Sequence, residues 1–313
     1  MSPTRRNFIK KTAGLTTAAL LRPLEEFAKG TTPKVTARKG FELLFMQTDW
    51  GFAGNREAFC AAAKKEGYDG IEVWWPGDQP ESQKELFEAV KKHGLQIGFL
   101  CAGGNHPLAA EHLERFKKNL DAICANPHQK PLYVNCHSGK DYFTYEQNKP
   151  FIDYTTAKTK ATGIPVYHET HRGRMLFATT VARNFAEKSP ELRLTLDISH
   201  WCNVHESLLA DQQETIDFLL GRVAHIHSRI GHPEGPQVND PRAPEWENAV
   251  KAHLAWWDKV VERKKRNGER MTILTEFGPA DYMPTLPYTR QPVADQWAIN
   301  VYMMNLLRKR YQS

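Results

Sequence analysis

From about residue 40 to the C-terminus, short runs rich in β-branched and aromatic residues alternate with longer amphipathic stretches. No other feature of the chain constrains its fold as strongly. Eight runs read as strands: Phe41–Gln47, Gly70–Trp75, Gln96–Ala102, Leu132–His137, Pro165–His171, Arg193–His200, Val223–Ser228 and Thr272–Phe277. Helical stretches lie between them, among them Asn55–Glu66, Gln83–His93, Leu108–Ala125 and Leu176–Lys188, with a last one at Pro292–Tyr311. Glu66-Gly67, His93-Gly94 and Asn267-Gly268 read as helix stops, because glycine takes the left-handed conformation that ends a helix. Strand–helix alternation implies parallel strands joined by crossovers. Eight such units in about 280 residues match a single (β/α)8 TIM barrel, which typically takes about 250. An open doubly wound sheet is the rival, but it needs a Gly-rich phosphate turn after its first strand, and Thr48-Asp49-Trp50-Gly51-Phe52 is not one.

Composition sets the outer limits. Of 313 residues, 41% are hydrophobic and 25% charged, enough apolar chain for a large core and too ordinary for a disordered or fibrous protein. No apolar run reaches the roughly 18–20 residues that a membrane span needs. The five cysteines lack zinc-finger or CxxC spacing and read as small buried apolar groups. The net charge of +6 is concentrated at the start: residues 1–30 carry a net +4, and the remainder only +2. That remainder is a poor footprint for nucleic acid. Thr4-Arg5-Arg6-Asn7-Phe8-Ile9-Lys10, followed by the apolar Ala13 to Leu21, resembles a twin-arginine export signal. We therefore expect a leader over 1–30, a barrel over 31–313 and a periplasmic location.

In a barrel of this kind the chemistry sits at the C-terminal ends of the strands. Read in order, those ends carry Gln47 and Asp49; Glu72, Trp74 and Trp75; Cys101 and Asn105; Asn135 and His137. The later four carry His168-Glu169-Thr170-His171, Asp197 and His200, His225 and His227, and Glu276. Nine of the thirteen histidines fall between His128 and His232, which puts the site in the second half of the chain. Glu169, Asp197, His227 and Glu276 end four consecutive strands, and a closed barrel brings them to one side of the rim. Taken singly, each has an ordinary explanation as a helix cap or a core group. As a set, three carboxylates would repel one another without a cation. One divalent ion is expected, Mn or Mg on the strength of the oxygen-rich donors, with Co or Zn possible. His225 shares a strand face with His227, which lies nearer the rim.

These segments, His168-Glu169-Thr170, Leu196-Asp197-Ile198-Ser199-His200, His225-Ile226-His227 and Thr275-Glu276-Phe277-Gly278, resemble the xylose-isomerase-like barrels often labelled sugar phosphate isomerase/epimerase. That group includes ketose 3-epimerases, hydroxypyruvate isomerases and apurinic-site endonucleases. The resemblance spans about residues 40 to 311 and is most specific at Asp197-x-x-His200 and His225-x-His227. It implies that Glu169, Asp197, His227 and Glu276 are the metal ligands. It also implies that Glu169 and Glu276 are the acid/base pair and that His200 contacts substrate.

The chemistry implied is isomerisation or epimerisation of a carbohydrate. A glutamate removes the proton α to a carbonyl, the cation stabilises the enolate charge, and the proton returns to the other face or the neighbouring carbon. A lyase or hydratase acting on an oxidised sugar or glycoside would use the same groups, and a non-catalytic sugar-binding barrel is the reading from another class. Around this core, Trp74 and Trp75 offer a face for a sugar ring, His137 a hydroxyl or metal contact, and Arg229, Arg172 and Arg174 charge for polar groups. Glu72 is read as orienting a neighbour or the substrate, and the Pro- and Gly-rich segment 231–244 as a loop over the mouth. The nuclease pattern fails in two places. The third strand ends in Cys101-Ala102-Gly103 without a histidine, and Asn239-Asp240-Pro241-Arg242 stands where those enzymes place Asp-x-His. No nucleic-acid partner is expected.

Overall fold

A computed structural model describes residues 35–312. The twin-arginine-like leader falls outside them. The strands are β1 (Glu42–Thr48), β2 (Gly70–Trp74), β3 (Gln96–Ala102), β4 (Val134–His137), β5 (Val166–Glu169), β6 (Leu194–Leu196), β7 (Val223–His227) and β8 (Arg270–Thr275). They close in chain order into one barrel, every neighbouring pair parallel, with β8 returning to β1. The helices among the described residues are α1 (Arg56–Glu66), α2 (Pro80–His93), α3 (Ala109–Ala125), α4 (Tyr145–Thr162), α5 (Thr179–Lys188), α6 (Ile198–Val204), α7 (Gln213–Leu220), α8 (Glu247–Asn267) and α9 (Gln296–Tyr311). The single (β/α)8 architecture read from the sequence is the one observed. No helix among the described residues is long and apolar enough to cross a membrane.

The glycine stops behave as read: Gly67, Gly94 and Gly268 cap α1, α2 and α8 at φ of 93°, 61° and 67°. All five cysteines are free thiols, and only Cys124 is not fully buried. The main apolar core lies between sheet and helices. A second, small cluster of Met46, Tyr133 and Leu274 sits apart from it and includes inward-facing strand positions.

Several strands differ at their ends from the sequence reading, β8 for instance covering Arg270–Thr275 where Thr272–Phe277 is expected. The run Arg193–His200 is strand only to Leu196, and α6 follows at once. The reason is local: Asp197 accepts from the Ser199 N–H at 3.1 Å and so caps the helix. The run at Pro165–His171 likewise stops pairing at Glu169.

The barrel interior is where the fold positions the site. Side chains alternate along a strand, so Tyr133, Asn135 and His137 share one face, and so do His225 and His227. Tyr133 packs against His225, ring centroids 4.4 Å apart, and against Tyr167 at 5.7 Å. Gly98 on β3 makes this possible, since a Cβ there would stand 2.6 Å from the Tyr133 ring. The result is a stack of polar and aromatic groups rising through the barrel instead of an all-apolar filling.

Candidate active site

The four residues singled out in sequence meet. Glu169 ends β5, Asp197 follows β6, His227 ends β7 and Glu276 follows β8, and one ligand atom from each lies within 4.8 Å of all the others. All four are buried, Glu276 the most open at 8%.

Below them, Glu72 is wholly buried and accepts from the Tyr133 hydroxyl at 2.7 Å. Its oxygens lie 3.0 Å from both His225 Nε2 and His227 Nε2. This carboxylate holds one edge of the His227 ring, so that Nδ1 faces Glu276 Oε2 at 2.8 Å. A ring fixed from behind in this way presents its other nitrogen to the cluster. Glu72 thus stands against neighbouring side chains and away from the cavity wall. Asn135 links the layers by donating to Glu169 Oε2 at 2.7 Å, with Glu72 Oε1 3.4 Å away.

Electrostatics follow from this packing. Burial alone would lower the pKa of His227, but the carboxylates of Glu276, Glu72 and Glu169 outweigh it and raise it well above the usual imidazole range. Burial works to raise Glu72, yet His227 and His225 hold it below the ordinary carboxylate range. Glu169 is likewise pushed up by burial and pulled well down overall by His137 and His227. Asp197 goes the other way, to about 6: burial raises it, Arg229 lowers it, and Glu276 and Glu169 raise it further.

The residues fit a divalent cation. Three carboxylates and an imidazole converge in a buried space, and Glu169 Oε1 is buried there without a hydrogen-bond partner. Oxygen-rich donors with one nitrogen suit Mn or Mg, and are compatible with Co or Zn. A ligating His227 would have to give up its Nδ1 proton. Between about pH 6, below which Asp197 would also have to lose a proton, and the raised pKa of His227, affinity for the cation should thus fall about tenfold per pH unit, and above it this dependence should vanish. Calorimetric titration with Mn²⁺ at pH 7, in two buffers of different ionisation enthalpy, should report proton release. A buffer-independent enthalpy would contradict coordination by this histidine.

Arg229 is the unexpected neighbour. Two residues beyond His227 and 1% exposed, it forms a close ion pair with Asp197 Oδ2 and lies 3.5 Å from Glu276 Oε2. Its guanidinium also stacks on Tyr282, 4.6 Å from the ring centroid. His200 is fully buried beside it, with Nε2 3.0 Å from Arg229 Nη2 and the ring against His171 at 3.9 Å.

A cavity of about 180 Å³ adjoins the cluster, walled by Trp50, Trp74, His137, His171, Arg229, Glu276 and Tyr282, with Thr48 and Leu100. His137 lies 2.8 Å from Glu169 Oε2 and meets Trp74 edge to face at 5.3 Å, so both stand where the sequence put them. Trp75 does not. It packs edge to face on Phe99 at 5.2 Å in the apolar core and does not line the cavity, because neighbouring strand residues point to opposite faces. Asp49 is engaged by Arg56 and Arg172 by Asn203, while His168 sits between the Ser138 and Thr155 hydroxyls, 2.8 Å from each. Segment 231–244 contributes nothing to the cavity wall. Its Gln237 instead ties it to the Gly278 backbone at 2.7 and 3.1 Å.

Sequence reasoning missed Trp50 and Tyr282, which pack edge to face at 5.1 Å across the mouth. Gly278 makes room for Trp50, since a Cβ there would stand 2.4 Å from its ring. The available signal was the long, Pro-rich stretch between Glu276 and α9, which carries Tyr282.

No family model and no curated protein matches this chain. Solved structures do, at the level of fold. A D-allulose 3-epimerase from Methylomonas sp. superposes with a TM-score of 0.56 and 14% identity, over 88% of this chain and 99% of that one. A probable 3-DHS dehydratase from Bacillus anthracis gives 0.56 and 14%, over 84% and 98%. An AP endonuclease of family 2 from Brucella melitensis gives 0.53 and 16%, over 76% and 93%. At these identities the likeness shows a shared fold, which does not by itself fix an activity.

Proposed function

We propose that this protein is a divalent-metal-dependent isomerase or epimerase acting on a carbohydrate by removal of a proton α to a carbonyl. The observation that carries the proposal is the pair Glu169 and Glu276, set with Asp197 and His227 within 4.8 Å ligand-atom separations beside a small cavity with aromatic walls. When bound, a divalent cation supplies Lewis-acid stabilisation of charge developing on substrate oxygens. The chain supplies the rest. Glu276 lines the cavity and is placed to take or return a proton at a carboxylate oxygen. Glu169, behind His137, is held ionised by that histidine and His227 and is suited to act as a base. Trp50, Trp74 and Tyr282 present apolar faces to a sugar ring and narrow the route for water. Polar groups of the substrate find His137 and Arg229 on the wall, with His200 immediately behind.

The test begins with metal content per chain, then follows candidate ketoses in D₂O. About one Mn, Mg, Co or Zn per chain, together with solvent deuterium entering the substrate's α position, is the expected result. Deuterium uptake with release of a leaving group would make the enzyme a lyase using the same carboxylates. No specific metal after reconstitution would remove the basis of the proposal and leave a sugar-binding barrel. Phosphodiester cleavage with three zinc ions would make it a nuclease.

A further inference from the structure

Besides lining the cavity, Arg229 holds two of the clustered carboxylates. Asp197 has two oxygens. Oδ1 is taken by the Ser199 backbone N–H at 3.1 Å and by the Ser199 hydroxyl. Oδ2 is left for a cation, and it is the oxygen that Arg229 Nη2 holds. The same nitrogen lies 3.5 Å from Glu276 Oε2, which belongs to a second member of the four-residue cluster. A divalent ion and a guanidinium sharing these two oxygens would stand a few ångströms apart in a buried site, where like charges repel strongly.

The arginine also has somewhere to go. Its Nη1 is buried without a hydrogen-bond partner, its guanidinium rests on the face of Tyr282, and both side chains line the cavity. An arginine moved off the carboxylates would keep the aromatic face and gain the cavity's polar occupant.

We infer that Arg229 is a built-in counter-cation that competes with the divalent ion for Asp197 and Glu276, neutralising the carboxylates without metal and being displaced when metal binds. This rests on the metal site proposed above and adds a cost that the wild-type chain meets on every loading.

The experiment is a Mn²⁺ titration of the metal-stripped full-length chain, reading free Mn²⁺ by electron paramagnetic resonance, with urea unfolding of the metal-free proteins alongside. Arg229→Gln should bind Mn²⁺ at least about tenfold more tightly than wild type. Its metal-free form should unfold at lower urea. Arg172→Gln is the control: it removes the same charge from a second guanidinium beside Tyr282, 5.2 Å from the ring centroid, without touching either carboxylate. It should stay within about twofold of wild type, because this half-buried guanidinium is held by Asn203 and makes no ion pair with Asp197 or Glu276.

If Arg229→Gln does not fold without metal, Arg229→Lys is titrated instead. A single ammonium cannot copy the reach of the fork, so tightening of a few fold is expected. Equal or weaker Mn²⁺ binding by the Arg229 variants overturns the inference, as does equal tightening in Arg172→Gln, which would point to a general field effect. Failure of every protein, wild type included, to bind Mn²⁺ removes the metal site itself and the inference with it.

Discussion

Glu169→Gln is expected to leave the barrel folded and to lower turnover by about 10²- to 10⁴-fold, the range that a positioned acid or base contributes. The fold should tolerate the change for a specific reason. Glu169 Oε2 receives the Asn135 amide at 2.7 Å, and an amide oxygen can accept in its place. The new NH₂ would replace Oε1, which has no partner to lose. What disappears is the negative charge that stands beside His137 and His227 and the oxygen lone pair able to take a proton. Glu276→Gln should show a loss of similar size, since that carboxylate lines the cavity. The two variants need not fail alike. If one glutamate removes the proton and the other returns it, a variant lacking only the second still exchanges deuterium into substrate while making no product. Turnover within tenfold of wild type in both variants would sink the proposed roles.

Glu72→Gln should produce the largest loss of stability, although this residue does not line the cavity. Its carboxylate is buried among Tyr133, His225 and His227. Removing one partner of a buried ion pair typically costs about 3–5 kcal/mol, because the other charge stays desolvated and uncompensated. The sign with pH follows from its lowered pKa. The contribution is fully present above the ordinary glutamate value of about 4.3 and is lost as pH falls through the lower folded value. Urea unfolding at pH 7 therefore measures all of it. Metal affinity should fall by about 10- to 100-fold as well, the usual effect of losing the group that orients a ligating histidine. A variant with wild-type unfolding and wild-type Mn²⁺ binding would show that Glu72 neither pairs with nor orients His227.

The parts of the site that were legible in sequence share a physical origin. Glu169, Asp197, His227 and Glu276 could be picked out because a closed barrel of parallel strands brings every strand end to one rim, whatever the details of packing. Trp74 and Trp75 show a signal that was present but unused. With Glu72 inside the barrel, the two-residue period sends Trp74 inward and Trp75 outward to Phe99. The end of β6 was harder, because Ile198, Trp201 and Cys202 are buried and apolar in either conformation. Only the cap formed by Asp197 chooses helix over strand.

The sequence by itself thus determined the architecture, the rim on which the site lies and which four residues cluster there, since all of these follow from local periodicity and chain order. Tertiary structure alone decided which partner each charge has. Arg229 lies 32 residues from Asp197 along the chain and pairs with it on one oxygen. Glu72 lies 155 residues from His227 and sets its ring. Tyr282 and Trp50, from opposite ends of the chain, meet over the cavity. Pairings of this kind depend on distances of a few ångströms between separate strands and loops, and no pattern along a single chain encodes them.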